Sequence, residues 1–136
     1  MIKFKFRTYL IFTLLWLAMI LLQSFLPSGA SYAESSGFLA IVQSVLPWIT
    51  HSVLRRAAHF IEFALLGVFS TGMFCNARHF TLFKPMFFTL LSAVCDESVK
   101  IFASGRTPQI SDIWLDFLGA MTGILLMWLI SRLHKQ

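Results

Sequence analysis

An all-α bundle of four membrane-spanning helices is the fold this chain predicts, and three observations carry the prediction. Hydrophobic residues make up 57% of the chain and charged ones 12%, with a mean hydropathy of +0.76, a balance that soluble domains do not show. Four apolar stretches, 8–26, 57–74, 86–103 and 113–130, each approach the ~20 residues a helix needs to cross a bilayer core. Basic residues gather at the ends of these stretches, where they set topology and meet anionic headgroups. A length of 136 residues fits a single domain, 1–136, and leaves little chain for a soluble module. Nucleic-acid binding is not expected: the net charge of +5 comes from helix ends rather than from a continuous basic face.

Span one, Thr8 to Leu26, is uncharged and follows Lys3, Lys5 and Arg7. It leads into Ser31-Tyr32-Ala33, a small-x-small ending of the kind signal peptidases cut. Its apolar run of about 19 residues exceeds a signal core of roughly 7–15, so an uncleaved anchor is expected. Pro27 to Ser36 is rich in Ser, Gly and Ala and reads as loop. Phe38, Ile41, Val42, Val45 and Leu46 then recur at helical spacing before Pro47-Trp48. That pattern suits a short helix lying in the outer interface, with Trp48 at headgroup depth, or a lid packed over the bundle.

Span two, Ala57 to Phe74, is interrupted by His59 and Glu62. With Arg55 they follow i, i+4, i+7 spacing and share one helix face, Glu62 lying about 10 Å deeper than Arg55 at a rise of ~1.5 Å per residue. Span three, Met86 to Ala103, contains Asp96, Glu97 and Lys100. Ionised groups in hydrocarbon cost several kcal/mol unless they pair or face water, so they usually mark a working site. Lys100 is three residues from Glu97 and four from Asp96, within reach of either. In span four, Ile113 to Ile130, Asp116 shares a face with Asp112, Gly119 and Gly123. The glycines admit a close helix neighbour, either within the chain or in an oligomer formed through that face.

The positive-inside rule assigns Lys3, Lys5, Arg7, Arg78, Lys84, Arg132 and Lys135 to the cytoplasm. Both termini are then cytoplasmic, and Arg55, Arg56 and Arg106 lie outside. Every acid, Glu34, Glu62, Asp96, Glu97, Asp112 and Asp116, falls on or near the outer side. The connection Ser104-Gly105-Arg106-Thr107-Pro108 is tight, so Arg106 overhangs the same cluster. Its guanidinium suits a bidentate grip on a carboxylate or phosphate, or an internal bridge to Asp96, Glu97 or Asp112.

These residues resemble a known family. Arg55-Arg56-Ala57-Ala58-His59-Phe60-Ile61-Glu62-Phe63-Ala64-Leu65-Leu66-Gly67, followed by Asp96-Glu97-Ser98-Val99-Lys100, Gly105-Arg106, Asp112, Asp116 and Gly119, are similar to the VanZ-like membrane proteins in order and spacing. Lys100 stands where that family usually shows Gln, Asp116 where Asn is frequent and Phe63 where Tyr is common. The first two departures add opposite charges that would balance if they paired across spans three and four. A family role resting on the Gln is not carried over. The resemblance implies a multi-pass protein of the bacterial cell membrane with an envelope role, linked through the founding member to teicoplanin, and it implies no reaction.

Three function classes follow. A binding protein would use an outward pocket of Arg55, His59, Glu62, Asp96, Glu97, Arg106, Asp112 and Asp116 for an anionic or peptidyl envelope component, such as a peptidoglycan precursor or another lipid-linked ligand among the membrane lipids. A membrane enzyme would use His59 and Glu62 as an acid–base pair on a lipid-linked or phosphorylated substrate. An ion- or proton-coupled transport component would place the cluster along a path, but no charge reaches the cytoplasmic half of a span. No cofactor is expected, and no metal: His51, His59, His79 and His134 are scattered, and Arg55, Arg106 and Lys100 would repel an ion from an oxygen and nitrogen site at His59, Glu62, Asp96 and Glu97. Cys75 and Cys95 differ too much in depth to bridge.

Overall fold

The computed structural model describes residues 6–75 and 80–133, with the side chains of 28–35 and 38 outside the description. The expectations for Lys3, Lys5, Arg78, His79, His134 and Lys135 fall outside the described residues, as do those for the side chains of Ser31, Tyr32, Ala33, Glu34 and Phe38. Among the described residues five α-helices follow one another: α1 Phe6–Phe25, α2 Ser28–Val45, α3 His51–Cys75, α4 Phe83–Val99 and α5 Ile110–Leu133, with a 3₁₀ turn Lys100–Phe102 after α4. Among the described residues there is no strand.

α3 is the centre of the bundle. It packs most extensively on α5 and also on α1 and α4, while α4 touches both α5 and α1, so α1, α3, α5 and α4 close a ring. The core where they meet is Ile20, Phe63, Leu66, Ala93 and Ala120, with Trp16, Leu17, Met19, Phe88 and Ile113 packed against it. Outside that core the usual sorting is reversed. Phe12, Leu15, Leu22, Phe87, Leu91, Trp114, Leu118, Leu126 and Leu129 are exposed, whereas Thr13, Thr71, Thr89, Asp96, Glu97, Lys100 and Asp116 are buried. Contiguous apolar exposure on this scale is a liability in water and the normal state in lipid. The buried hydroxyls of Thr13, Thr89 and Ser92 bond carbonyls of their own helices, which removes their demand for water.

Among the described residues three helices are long and apolar enough to cross a membrane: Phe6–Phe25, His51–Cys75 and Ile110–Leu133. The third expected span, 86–103, becomes α4 and its 3₁₀ turn. Its regular α part is 17 residues long and takes in Asp96 and Glu97, while Lys100 opens the 3₁₀ turn. The loop expected at 27–36 is helical, because α2 begins directly after Pro27, whose extended conformation (φ −55°, ψ 149°) sets the entry. Ala30, Ala33 and Glu34 favour helix, and the Ser and Gly content that suggested loop costs too little to stop it. α2 keeps Leu39 buried and leaves Ile41 and Val45 exposed.

The seam between α3 and α5 rests on glycine. A Cβ at Gly119 would collide with the carbonyl oxygen of Phe60, one at Gly123 with that of Ala64, and one at Gly67 with that of Ala120. Only the absence of side chains at these three positions lets the backbones meet. The face of Gly119 and Gly123 is therefore taken by α3 within the chain, the first of the two uses the sequence offers for it.

Candidate functional site

The close α3–α5 seam fixes what happens one turn further out. Asp116, three residues before Gly119 on the same face, is brought to α3 with its Oδ1 3.9 Å from His59 Nδ1. The same nitrogen lies 3.8 Å from Glu62 Oε2. Both separations are ion-pair distances, too long for hydrogen bonds, so the expected His59–Glu62 couple is not an aligned acid–base pair in this state. α1 supports this level of the site: Trp16 Nε1 donates to the Glu62 carbonyl at 2.9 Å.

α4 contributes a second layer. The tightening of the chain into a 3₁₀ turn at Lys100 folds its side chain back along α4. The ammonium lies 2.5 Å from Glu97 Oε2 and 3.3 Å from Asp96 Oδ2. This corrects the cross-helix partnership of Lys100 with Asp116 that the sequence admits. Local spacing wins because Lys100 reaches Glu97 and Asp96 without leaving its own helix, while Asp116 faces His59. The second oxygen of Glu97, Oε1, accepts the backbone N–H of Gln109. One carboxylate thus anchors the lysine with one oxygen and the 103–109 connection with the other.

That connection turns at Gly105, where φ is 75°, a value a side chain would resist. Arg106 N–H donates to the Ala103 carbonyl at 3.3 Å, and Asp112 N–H to Gln109 at 3.0 Å as α5 begins. Arg106 is held over the cluster by the Glu97–Gln109 tie. Burial draws its guanidinium below the usual arginine pKa, and nearby Arg55 adds to this, while Asp96 and Glu97 oppose it.

A cavity of about 190 Å³ opens at this end of the bundle, lined by Ser52, Arg55, Arg56, His59, Gly105, Arg106, Thr107, Gln109, Asp112, Leu115 and Asp116. Arg55, Arg56 and Thr107 are exposed at its mouth, and buried Asp116 with half-buried His59 lies at its floor. Of the residues singled out from sequence, Arg55, His59, Arg106, Asp112 and Asp116 line the cavity. Glu62, Asp96 and Glu97 stand behind the lining, where Glu97 serves the connection rather than the cavity. Arg56, Gln109 and Thr107 were missed. Gln109 and Thr107 could have been found by the tightness of the connection that carries Arg106, whereas Arg56 diverges from Arg55 around the helix and had no such signal.

Arg56 and Leu115 also border a second, shallow groove with Val53, Ala57, Phe60 and Ile61, which runs along the lateral surface between α3 and α5. A basic mouth, an acidic floor and an apolar side channel thus meet at two shared residues. Cys75 and Cys95 are not joined in a disulfide.

The sequence model of a family described as VanZ/LLP1 matches residues 9–131. No curated protein and no solved structure matches the chain.

Proposed function

The chain belongs to the VanZ/LLP1 family, and from that premise we propose that it is a multi-pass protein of the bacterial cell membrane whose pocket holds the anionic headgroup of a lipid-linked envelope component. α1, α3, α4 and α5 are the four spans, with both termini cytoplasmic and the pocket facing outward. α4 with its 3₁₀ turn reaches about 32 Å at ~1.5 and ~2.0 Å per residue, enough for a core of roughly 30 Å. α2 lies in the outer interface, its exposed Ile41 and Val45 toward lipid.

One observation carries the reading: the polar cavity and the lateral apolar groove share Arg56 and Leu115. A ligand with a charged head and an apolar tail is the chemistry that fits both at once. Arg55, Arg56 and Arg106 supply charge-assisted bonds to phosphate, and the groove lies open to the acyl region. Capture of such a molecule would alter susceptibility to wall-directed glycopeptides such as teicoplanin. Transport is less well supported, since among the described residues the acids of α4 and α5 lie toward one end, and the charges at the other end, Lys84 and Arg132, sit at helix termini. An enzymatic role gains support only if ligand binding draws His59 and Glu62 closer than 3.8 Å, as catalytic contacts often tighten on binding.

Native mass spectrometry from lipid particles containing phosphatidylglycerol and phosphatidylcholine tests the proposal. Preferential retention of the anionic lipid by the wild type and its loss in Arg106→Ala is the expected result. Equal retention of the two lipids by the wild type overturns it.

A further inference from the structure

We propose that the floor of the pocket is a divalent-cation site formed by His59, Asp96 and Asp116, one residue from each of α3, α4 and α5. The inference goes beyond the lipid-headgroup reading and does not depend on it.

Three observations lead here. The first is geometric: one donor atom from each residue lies within 4.8 Å of the others. Three donors that far apart lie about 2.8 Å from a common centre, against about 2.0–2.2 Å for ligands of a bound ion, so a shift of under an ångström in each brings all three onto it. The second is unsatisfied polarity. His59 Nδ1 and both carboxylate oxygens of Asp96 and of Asp116 are buried without a hydrogen-bond partner, and Asp96 and Asp116 are 0% and 1% exposed. Buried polar atoms are ordinarily bonded, and such a concentration of exceptions on three converging helices calls for a ligand. The third is charge. Among the described residues the buried ionisable side chains are Asp96, Glu97, Asp116 and Lys100. Fully ionised, three carboxylates against one ammonium leave an excess of two negative charges, which one divalent ion cancels.

Sequence counting sets Lys100, Arg55 and Arg106 against an ion in this region. The structure separates the roles. The Lys100 ammonium sits closest to Glu97, 2.5 Å from its Oε2, and 3.3 Å from Asp96 Oδ2, so Asp96 would share its carboxylate between the lysine and the ion, and Arg55 is exposed at the mouth. One imidazole and two carboxylates are a mixed nitrogen and oxygen donor set that suits Zn²⁺ or Mn²⁺ better than Ca²⁺, which prefers oxygen alone. With three protein ligands, a remaining coordination position would face the cavity, because His59 and Asp116 line it. That open position is where a headgroup oxygen would arrive.

The experiment uses the full chain in detergent, stripped with chelator and titrated with Mn²⁺. We expect one Mn²⁺ per chain, ¹⁴N coupling from His59 in pulsed electron paramagnetic resonance, and stoichiometric displacement by Zn²⁺. Asp116→Asn and Asp96→Asn should each weaken binding at least tenfold with helical circular dichroism retained, and Cys95→Ser should leave it unchanged. Failure of the wild type to bind Mn²⁺ below 1 mM, about 10³ times weaker than a micromolar site, overturns the proposal. So does binding without ¹⁴N coupling, a readout that needs no variant to fold. If lipid retention fails its own test while Mn²⁺ still binds with the ¹⁴N signature, the headgroup reading falls and the metal site stands.

Discussion

In its inner half the α3–α5 seam is built from Gly67, Gly119 and Gly123 set against backbone carbonyls, whereas one turn outward the same helices face each other through His59 and Asp116 at 3.9 Å. The inner half is held by shape, which tolerates almost no added volume. The outer half meets through polar side chains, at separations too long for hydrogen bonds and with room for a cavity. The contrast teaches that the first region positions the second. Backbone-to-backbone packing over two turns leaves Asp116 no choice of neighbour, so a buried carboxylate can be kept beside a histidine without a bond between them.

The largest expected effect comes from breaking the inner half. Gly123→Leu forces a side chain into the Ala64 carbonyl and should cost about 3 kcal/mol or more, at the upper end of overpacking penalties, because main chain cannot step aside. Both halves should be lost together, seen as a collapse of the monodisperse peak in size-exclusion chromatography. Retention of a native-like melting temperature by this variant would show that the seam does not govern the site.

Breaking the outer half alone should cost less and leave the helices standing. Glu97→Gln leaves Lys100 only its longer contact to Asp96 and loosens the tie to Gln109, with an expected loss of up to about 3 kcal/mol, since breaking a buried pair outright costs about that much or more. Adding Lys100→Gln to it should recover part of that loss. Thermal unfolding followed by circular dichroism would measure both, and a double variant less stable than Glu97→Gln would contradict the pairing. Any teicoplanin phenotype should vanish in Glu97→Gln and in Arg106→Ala at normal expression; its full retention in both would remove the pocket from the function.

Smaller effects are expected at the mouth. Arg106→Ala should weaken retention of anionic lipid about tenfold or more, the value of a charge-assisted contact, with a smaller change in stability than Glu97→Gln. Arg55→Ala should weaken it only a few-fold, in a salt-sensitive manner, because an exposed charge contributes about 1 kcal/mol or less. A reversed order of these two variants in lipid retention assays would move the centre of recognition from the connection to the α3 entry.

Much of this was legible in the chain. The faces of single helices were: Asp112, Asp116, Gly119 and Gly123 read as one stripe on α5, and Arg55 and His59 as another on α3, because the period of 3.6 residues needs no tertiary information. The close-packing glycines were legible as a motif, and the overhang of Arg106 followed from the shortness of the connection. Arg56 was not, since adjacent residues diverge around a helix and only the position of Leu115 on α5 shows which side opens onto the cavity. The division between Glu97 as an anchor and Asp116 as floor was also hidden. Spacing offers Lys100 both local acids and leaves Asp116 available to it, and nothing in the sequence says which distances close.

The sequence by itself determined the all-helical class, the lipid-facing composition, the family and the set of charged residues from which the site is made. These follow from composition and from periods internal to one helix, where covalent geometry fixes who neighbours whom. Only the tertiary structure decided that α5 uses its glycines on α3 rather than on a second copy, that Lys100 turns to Glu97 and Asp96, and that His59, Asp96 and Asp116 converge with buried polar atoms that lack hydrogen bonds. Those outcomes depend on the approach of separate helices, set by main-chain contact across the seam to within an ångström, and helical periodicity carries no information about that distance.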